Sequence, residues 1–488
     1  MNFVKSFQKI SKSFHKNPLF WILLISLITR IIYLLLNYNL WWDSHVYIGM
    51  GKYIFTQGKL GLWESFRPLT YPILLGTFWK LNLPVILTAK LVNLIFSLAS
   101  ITLIYHITKK LFNKTSAILS ALLFSFTPVF FMFTGLVLSE PLAILFILLA
   151  IYFFISQTKK SALNLFLSGI FTSLAFLTKF PLGIILLSTY IILIFNNTKF
   201  LQKIKHLFIL TMGFLIPTLP YLIFNYFTYP NPLEPFLSGN WIVSTATWLY
   251  GTGILFYLTN FFLKNPPYLV YFYGLYDFIK KRSWKNSSIF LIYLIPTLLI
   301  LYFTFFVARK EIRYLVFAVP FLAIIVSPYI IQIYQKLKKS KKPFIKSTAF
   351  IFIVVILIII GLPYLFNMEK NPDLNPQFVE YIQDHNIQGP ILTTSPSLIS
   401  YLDNSIIPLS GMDYALPIYQ NKKSTADLII INTCELICHP QDQTCLDKKQ
   451  QFLQLLKQEN IIILKETLQE RHHQQILECT YFILKPKS

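Results

Sequence analysis

Asp43 stands in the segment Trp41-Trp42-Asp43-Ser44-His45, just after a long apolar run, and Glu140 stands between Ser139 and Pro141 at the start of another. A carboxylate in the position of Asp43 could take a proton from an incoming hydroxyl. Partial burial would raise its pKa toward the range useful to a base. The plainer role for each is an acid at a helix start, favoured by capping and by the helix dipole. Two such acids in a body poor in carboxylates favour chemistry. Cations accompany them. Arg67, in Glu64-Ser65-Phe66-Arg67-Pro68-Leu69-Thr70-Tyr71-Pro72, could grip a phosphate through its planar fork or reach up to lipid headgroups. Lys179, between two apolar runs, and the cluster Arg309-Lys310-Glu311-Ile312-Arg313-Tyr314 carry the same two meanings. His45 lies two residues from Asp43 and could ligate a divalent metal with it, although no third ligand is evident from spacing. Glu234 lies in a Pro-rich stretch that reads as a rigid loop, and Asp277 reads as structural.

The scarcity of acids gives these residues their weight. Only Asp43, Glu64, Glu140, Glu234, Asp277 and Glu311 occur in residues 1–366; the other 14 acids of the 488-residue chain lie in 367–488. Carboxylates near a bilayer are costly and so are functional candidates by default. The chain is 55% hydrophobic and 13% charged, with a mean hydropathy of +0.57. Runs of about 20 apolar residues recur, each able to cross a hydrocarbon core ~30 Å thick. These features define a polytopic α-helical membrane protein. The first run, Pro18 to Leu36, reads as a retained span, because it is too long for a signal-peptide core and no small-residue cleavage site follows.

The net charge of +23 invites a nucleic-acid partner, but its distribution argues against one. Residues 1–366 hold 33 basic residues and six acids, whereas 367–488 hold ten and 14. Most of the basic excess falls in short loops, as the positive-inside rule requires. The clusters Lys5–Lys16, Lys109–Lys114, Lys159–Lys160, Lys199–Lys205, Lys280–Lys285 and Lys336–Lys346 mark a cytoplasmic face. About eleven spans follow: 18–37, 85–107, 115–133, 141–157, 163–178, 181–196, 207–226, 266–280, 287–306, 314–334 and 347–365. The N-terminus is then cytoplasmic and the C-terminus extracytoplasmic, with five of the six acids on the outer side. Residues 38–84, with Trp41, Trp42, Trp63 and Trp79, are expected as short interfacial helices.

Two domains are expected: 1–366 in the membrane and 367–488 as a small extracytoplasmic α/β domain. Strand-like runs at Pro390–Thr394, Ile406–Leu409, Asp427–Asn432, Ile461–Leu464 and Thr480–Leu484 alternate with helical stretches at Pro376–His385 and Lys448–Gln458. All four cysteines, Cys434, Cys438, Cys445 and Cys479, fall in this tail, which allows two disulfides in any of three pairings.

Taken in order, these motifs resemble the GT-C superfamily of integral-membrane glycosyltransferases. The likeness is to the family 39-like protein O-mannosyltransferases and aminoarabinose transferases. The resemblance rests on Asp43 after the first span, Arg67 to Pro72 closing the first outer loop, Glu140-Pro141 opening a span, Thr178-Lys179-Phe180 at mid-chain, and Arg313-Tyr314 to Pro320 late in the chain. It implies a polyprenyl-phosphate sugar donor and inverting transfer to an acceptor hydroxyl of a lipid, glycan or protein. Asp43 would be the general base. Glu140 would orient a sugar or acceptor, or help hold a metal if one is used. Arg67, Lys179, Arg309, Lys310 and Arg313 would balance the lipid phosphate, and His45, Glu64, Tyr71 and Tyr314 would line the substrate site. Asp43-Ser44 departs from the paired acids of the protein mannosyltransferases, which points away from a protein acceptor. A transporter or lipid-linked sugar flippase is the main alternative and would place ionisable residues at mid-span. An oligosaccharide-transferring enzyme and a receptor are weaker ones.

Overall fold

Long apolar runs become helices because every backbone polar group is then satisfied within its own segment. The computed structural model describes residues 17–36, 40–156, 161–244, 247, 250–338, 375–409, 411–472 and 475–487. The chain opens with α1 (Pro18–Leu36), then α2 (Trp42–Phe55) and α3 (Thr70–Lys80). There follow α4 (Val85–Leu111), α5 (Lys114–Phe126), α6 (Pro128–Phe133), α7 (Glu140–Ile155) and α8 (Ser161–Phe176). Next come α9 (Gly183–Phe195), α10 (Phe200–Thr228), α11 (Glu234–Ile242), α12 (Val270–Lys280), α13 (Ser287–Phe305) and α14 (Val319–Lys338). Among the described residues five helices are long and apolar enough to cross a membrane: Pro18–Leu36, Val85–Leu111, Phe200–Thr228, Ser287–Phe305 and Val319–Lys336. Lys114–Phe126, Glu140–Ile155, Ala162–Phe176 and Phe180–Phe195 are apolar but shorter.

Ten of the eleven expected spans therefore coincide with helices, with different lengths. The 115–133 run breaks at Thr127-Pro128, since Pro cannot donate to the preceding turn. The 266–280 run begins as a 3₁₀ turn at Pro266–Leu269 and is helical only from Val270. The eleventh run, 347–365, the clusters Lys5–Lys16 and Lys159–Lys160, and most of Lys336–Lys346 lie outside the described residues.

Arg30, within α1, is a buried cation that the sequence reading passed over. Its guanidinium donates to Ser125 O (2.8 Å) and Ser125 Oγ (3.1 Å) and lies 4.9 Å from the centre of the Phe131 ring. It closes the end of α5, where the last carbonyls lack helical partners.

The C-terminal part adds α15 (Asn375–Asp384), β1 (Ile391–Thr393), β2 (Ile406–Pro408), α16 (Met412–Lys422), β3 (Leu428–Asn432), α17 (Gln443–Glu459), β4 (Asn460–His472) and β5 (Gln475–Pro486). The sheet order is β2-β1-β3-β5-β4, parallel from β2 to β3 and antiparallel from β3 to β4. All five expected strands are present. The polar β4–β5 arms run well past their apolar halves, and α16 was not foreseen. Cys434 pairs with Cys479 and Cys438 with Cys445.

This sheet unit docks on α2. Val46, Met50 and Leu62 share one apolar cluster with Phe378, Ile382, Leu398, Ile399 and Leu402. Lys52, almost fully buried, donates to Ile399 O and Leu402 O (both 2.8 Å) and pairs with Asp403 (2.8 Å). Three acceptors satisfy the three protons of its ammonium. Gly61 bridges to Ser405 and so extends the β2 edge. Its φ of +86°, and the backbone of Gly49 that any side chain there would strike, explain why glycine stands there. The helical body and the sheet unit thus share a core.

The two disulfides differ in the loops they close, 45 and seven residues in sequence separation. In the chain-entropy picture, replacing Cys434 and Cys479 with Ser costs about 4 kcal/mol, and replacing Cys438 and Cys445 about 2.5 kcal/mol. Thermal unfolding of the full-length protein in detergent is expected to show the larger drop for the first pair. Equal drops would contradict this assignment of the two loops.

Candidate active site

Asp43 occupies the first turn of α2, where the backbone N–H of Trp41 donates to Ser44 Oγ (3.2 Å). An acid there is favoured by the helix dipole. Its two oxygens are both engaged: Arg67 Nη2 donates to Oδ1 (2.9 Å) and Arg313 Nη1 to Oδ2 (2.8 Å). Each arginine holds a second acid close in sequence. Arg67 Nε donates to Glu64 Oε2 at 2.5 Å, and Arg313 Nε lies 2.7 Å from Glu311 Oε2. Arg309 Nε also donates to Glu311 (2.7 Å) and its guanidinium stacks 3.3 Å from the centre of the Tyr250 ring. Tyr314 donates to the same carboxylate (3.0 Å).

Glu140 opens α7 and is nearly fully buried. Lys179, in the turn between α8 and α9, pairs with its Oε1 at 3.2 Å. Its Oε2 is buried and has no hydrogen-bond partner among the described residues. A buried carboxylate oxygen without a donor is costly, so this oxygen is open to a further hydrogen bond. Asn93 of α4 fixes the approach to Glu140 by donating to Leu136 O (2.8 Å) and Leu138 O (3.0 Å).

Tyr47 links the two acids and was not singled out from the sequence. It lies one helical turn after Asp43, so both project from one face of α2. Its hydroxyl accepts from Lys179 Nζ (3.2 Å) and Ser139 Oγ (3.4 Å), and Arg67 sits 5.1 Å from the centre of its ring. The spacing Asp43-x-x-x-Tyr47 was the available signal.

Three sequence expectations need correction. Burial does raise the pKa of Asp43, but Arg67, Arg313 and Lys179 overwhelm it, and the carboxyl is held well below the ordinary carboxylate range. The expectation of a raised pKa neglected cations brought from 24 and 270 residues away. Lys310 does not join the cations of the site. Its ammonium donates to Phe303 O, Thr304 O and Val307 O and closes the end of α13. His45 points to the other side of α2, because a step of two residues turns a helix by about 200°. Its Nδ1 meets Ser400 Oγ of the sheet unit at 2.7 Å.

Asp43, Glu140 and His45 therefore do not fit a shared metal. Both Asp43 oxygens are held by arginines, Glu140 is held by Lys179, and His45 faces away. Among the described residues no group of three His, Cys, Asp or Glu side chains is placed to hold a metal ion. Of the remaining expected residues, Glu64 serves Arg67 and Tyr314 serves Glu311, while Tyr71 is buried and accepts from Asn93 Nδ2 (3.1 Å). Four acids and four cations, drawn from segments far apart in sequence, meet at one face of the helical body.

The comparisons with known proteins bear on the fold that carries this geometry. Residues 67–224 match the family model described as dolichyl-phosphate-mannose-protein mannosyltransferase, a stretch that includes Arg67, Glu140 and Lys179. ArnT from Cupriavidus metallidurans, solved bound to undecaprenyl phosphate, is similar with a TM-score of 0.64 at 11% identity, covering 95% of this chain and 97% of that one. The Archaeoglobus fulgidus oligosaccharyltransferase, in complex with Zn and sulfate, gives 0.56 at 12% identity over 84% of this chain and 68% of that one. The arabinofuranosyltransferase AftD from Mycobacteria gives 0.51 at 9% identity over 96% and 41%. No curated protein matches the chain by sequence. The chain is a multi-pass membrane protein with the GT-C glycosyltransferase fold.

Burial holds the pKa of His45 down at about 4, against about 6.5 for a free imidazole. Between these values the unfolded chain binds the extra proton, so stability falls as pH drops through this window and is fully present above it. Thermal unfolding of the full-length protein is expected to show a loss on the order of 3 kcal/mol from this group between pH 6.5 and 4. His45→Asn removes that component; an unchanged pH slope in the variant would contradict the assignment.

Proposed function

We propose that this protein is an inverting glycosyltransferase that moves a hexose or pentose from a polyprenyl-phosphate donor to an acceptor hydroxyl at the extracytoplasmic membrane face. The observation that carries the reading is the charge layout: a carboxylate bridging two arginines, beside a buried glutamate with one free oxygen. In the reaction the acceptor oxygen bonds to the anomeric carbon as the bond from that carbon to the phosphate oxygen breaks. The electron pair leaves with the phosphate, and the hydroxyl proton passes to Asp43 and then to solvent. Arg67, Arg313, Arg309 and Lys179 are the cations available to the phosphate, where negative charge builds in the transition state. Glu140 Oε2 accepts from a sugar or acceptor hydroxyl.

Two further observations support the setting. Disulfides persist in oxidising compartments, which favours an extracytoplasmic sheet unit and, with it, the Asp43 face to which that unit docks. The ion pairs lie at helix starts and in connecting segments, which favours surface chemistry over transport. Asp43-Ser44, without paired acids, favours a lipid or glycan acceptor over a protein.

The test is sugar transfer by membranes carrying the wild type, Asp43→Asn or Glu140→Gln. The donors are a panel of radiolabelled polyprenyl-phosphate sugars and the acceptors are endogenous. Wild-type membranes are expected to transfer from one donor, with Asp43→Asn at least ~100-fold slower and Glu140→Gln clearly impaired at equal expression. Undiminished transfer in both variants would remove these assignments, and no transfer from any donor would remove the proposed reaction.

A further inference from the structure

The proposed base is not free in this structure. Both Asp43 oxygens accept from arginines, so neither faces a hydroxyl. The cations are equally committed: Arg67 to Asp43 and Glu64, Arg313 to Asp43 and Glu311, Arg309 to Glu311, and Lys179 to Glu140. With four acids against four cations the cluster is neutral, and an arriving phosphate finds no unpaired positive group in it. It must displace an acid.

The acids differ in how easily they yield. Glu64 lies three residues before Arg67, and Glu311 two before Arg313, so sequence proximity keeps those pairs together. The Asp43 pairs join segments 24 and 270 residues apart and depend on how the helices pack. Arginine suits such an exchange, since its planar fork binds carboxylate and phosphate in the same way.

Resting on the proposed reaction, we infer that Asp43 is a masked base, held by the same two arginines that take the donor phosphate, and that donor binding unmasks it. The phosphate enters between Arg67 and Arg313, each arginine keeps its local glutamate, and Asp43 is released with both oxygens open to the acceptor. The depressed pKa of Asp43 then describes the free protein; loss of the two guanidinium contacts raises its basicity when the donor is in place. The order of binding follows: donor first, acceptor second.

The masking has a consequence that a simple catalytic role lacks. If Asp43 competes with the phosphate, removing its charge strengthens phosphate binding while abolishing transfer. The experiment measures binding of a sugar-free polyprenyl monophosphate to the full-length protein in nanodiscs, with the matching polyprenol as the uncharged control. Asp43→Asn is expected to bind the monophosphate at least tenfold more tightly than the wild type. Asp277→Asn, whose carboxylate pairs with Lys281 elsewhere in the fold, is expected to match the wild type. Asp43→Ser serves as a second variant should the amide disturb folding. Equal or weaker binding in the Asp43 variants, with clear preference for monophosphate over polyprenol in the wild type, overturns the masking and leaves the proposed function standing. No preference for monophosphate in any protein overturns both.

Discussion

Charges buried against a membrane surface must find partners among themselves, because little water is there to solvate them. The pairing of Asp43 with Arg67 and Arg313 is where this constraint is concentrated. Removing Arg67 would leave Asp43 with one arginine and take the cation from Glu64, at about 3–5 kcal/mol. The three partners come from the start of α2, the loop before α3 and the segment before α14, so the ion pairs fix the mutual placement of those segments. Tyr47 and Lys179 extend the arrangement to Glu140. The same contacts that hold the fold together here also bring together the groups that the proposed reaction uses.

Helix α2 serves two masters. One face carries Asp43 and Tyr47 toward the ion pairs; the other carries His45, Val46, Met50 and Lys52 toward the sheet unit. Its crossing with α3 is close, since a Cβ on Gly51 would lie 2.6 Å from Gly76 N. A shift in how the sheet unit sits on α2 therefore moves the segment that holds Asp43. The sheet unit acts as a buttress for that segment.

Much of the membrane architecture was legible because apolar runs and basic loops are strong one-dimensional signals. The strands β1–β5 were legible for a similar reason, as short apolar runs between polar segments. Asp43, Glu140, Arg67, Lys179 and Arg313 stood out because charge is rare in residues 1–366. Partnership was not legible. Lys310 and Arg309 are neighbours in sequence, yet one closes a helix end and the other stacks on Tyr250. His45 was drawn to Asp43 by proximity in sequence when the helical period sends it to the opposite face. The sign of the Asp43 pKa depended on Arg313, which only the fold brings near. Tyr47 is one of 28 tyrosines and carried no charge to mark it.

In the proposed reaction Arg67 and Arg313 form the seat of the donor phosphate, and Asp43 holds that seat until the donor arrives. A structure of the full-length protein with a polyprenyl monophosphate bound addresses it most directly. The account predicts phosphate oxygens within hydrogen-bond distance of both guanidinium groups, with Glu64 and Glu311 still paired and Asp43 released. A phosphate bound elsewhere, with both Asp43 pairs intact, would contradict it.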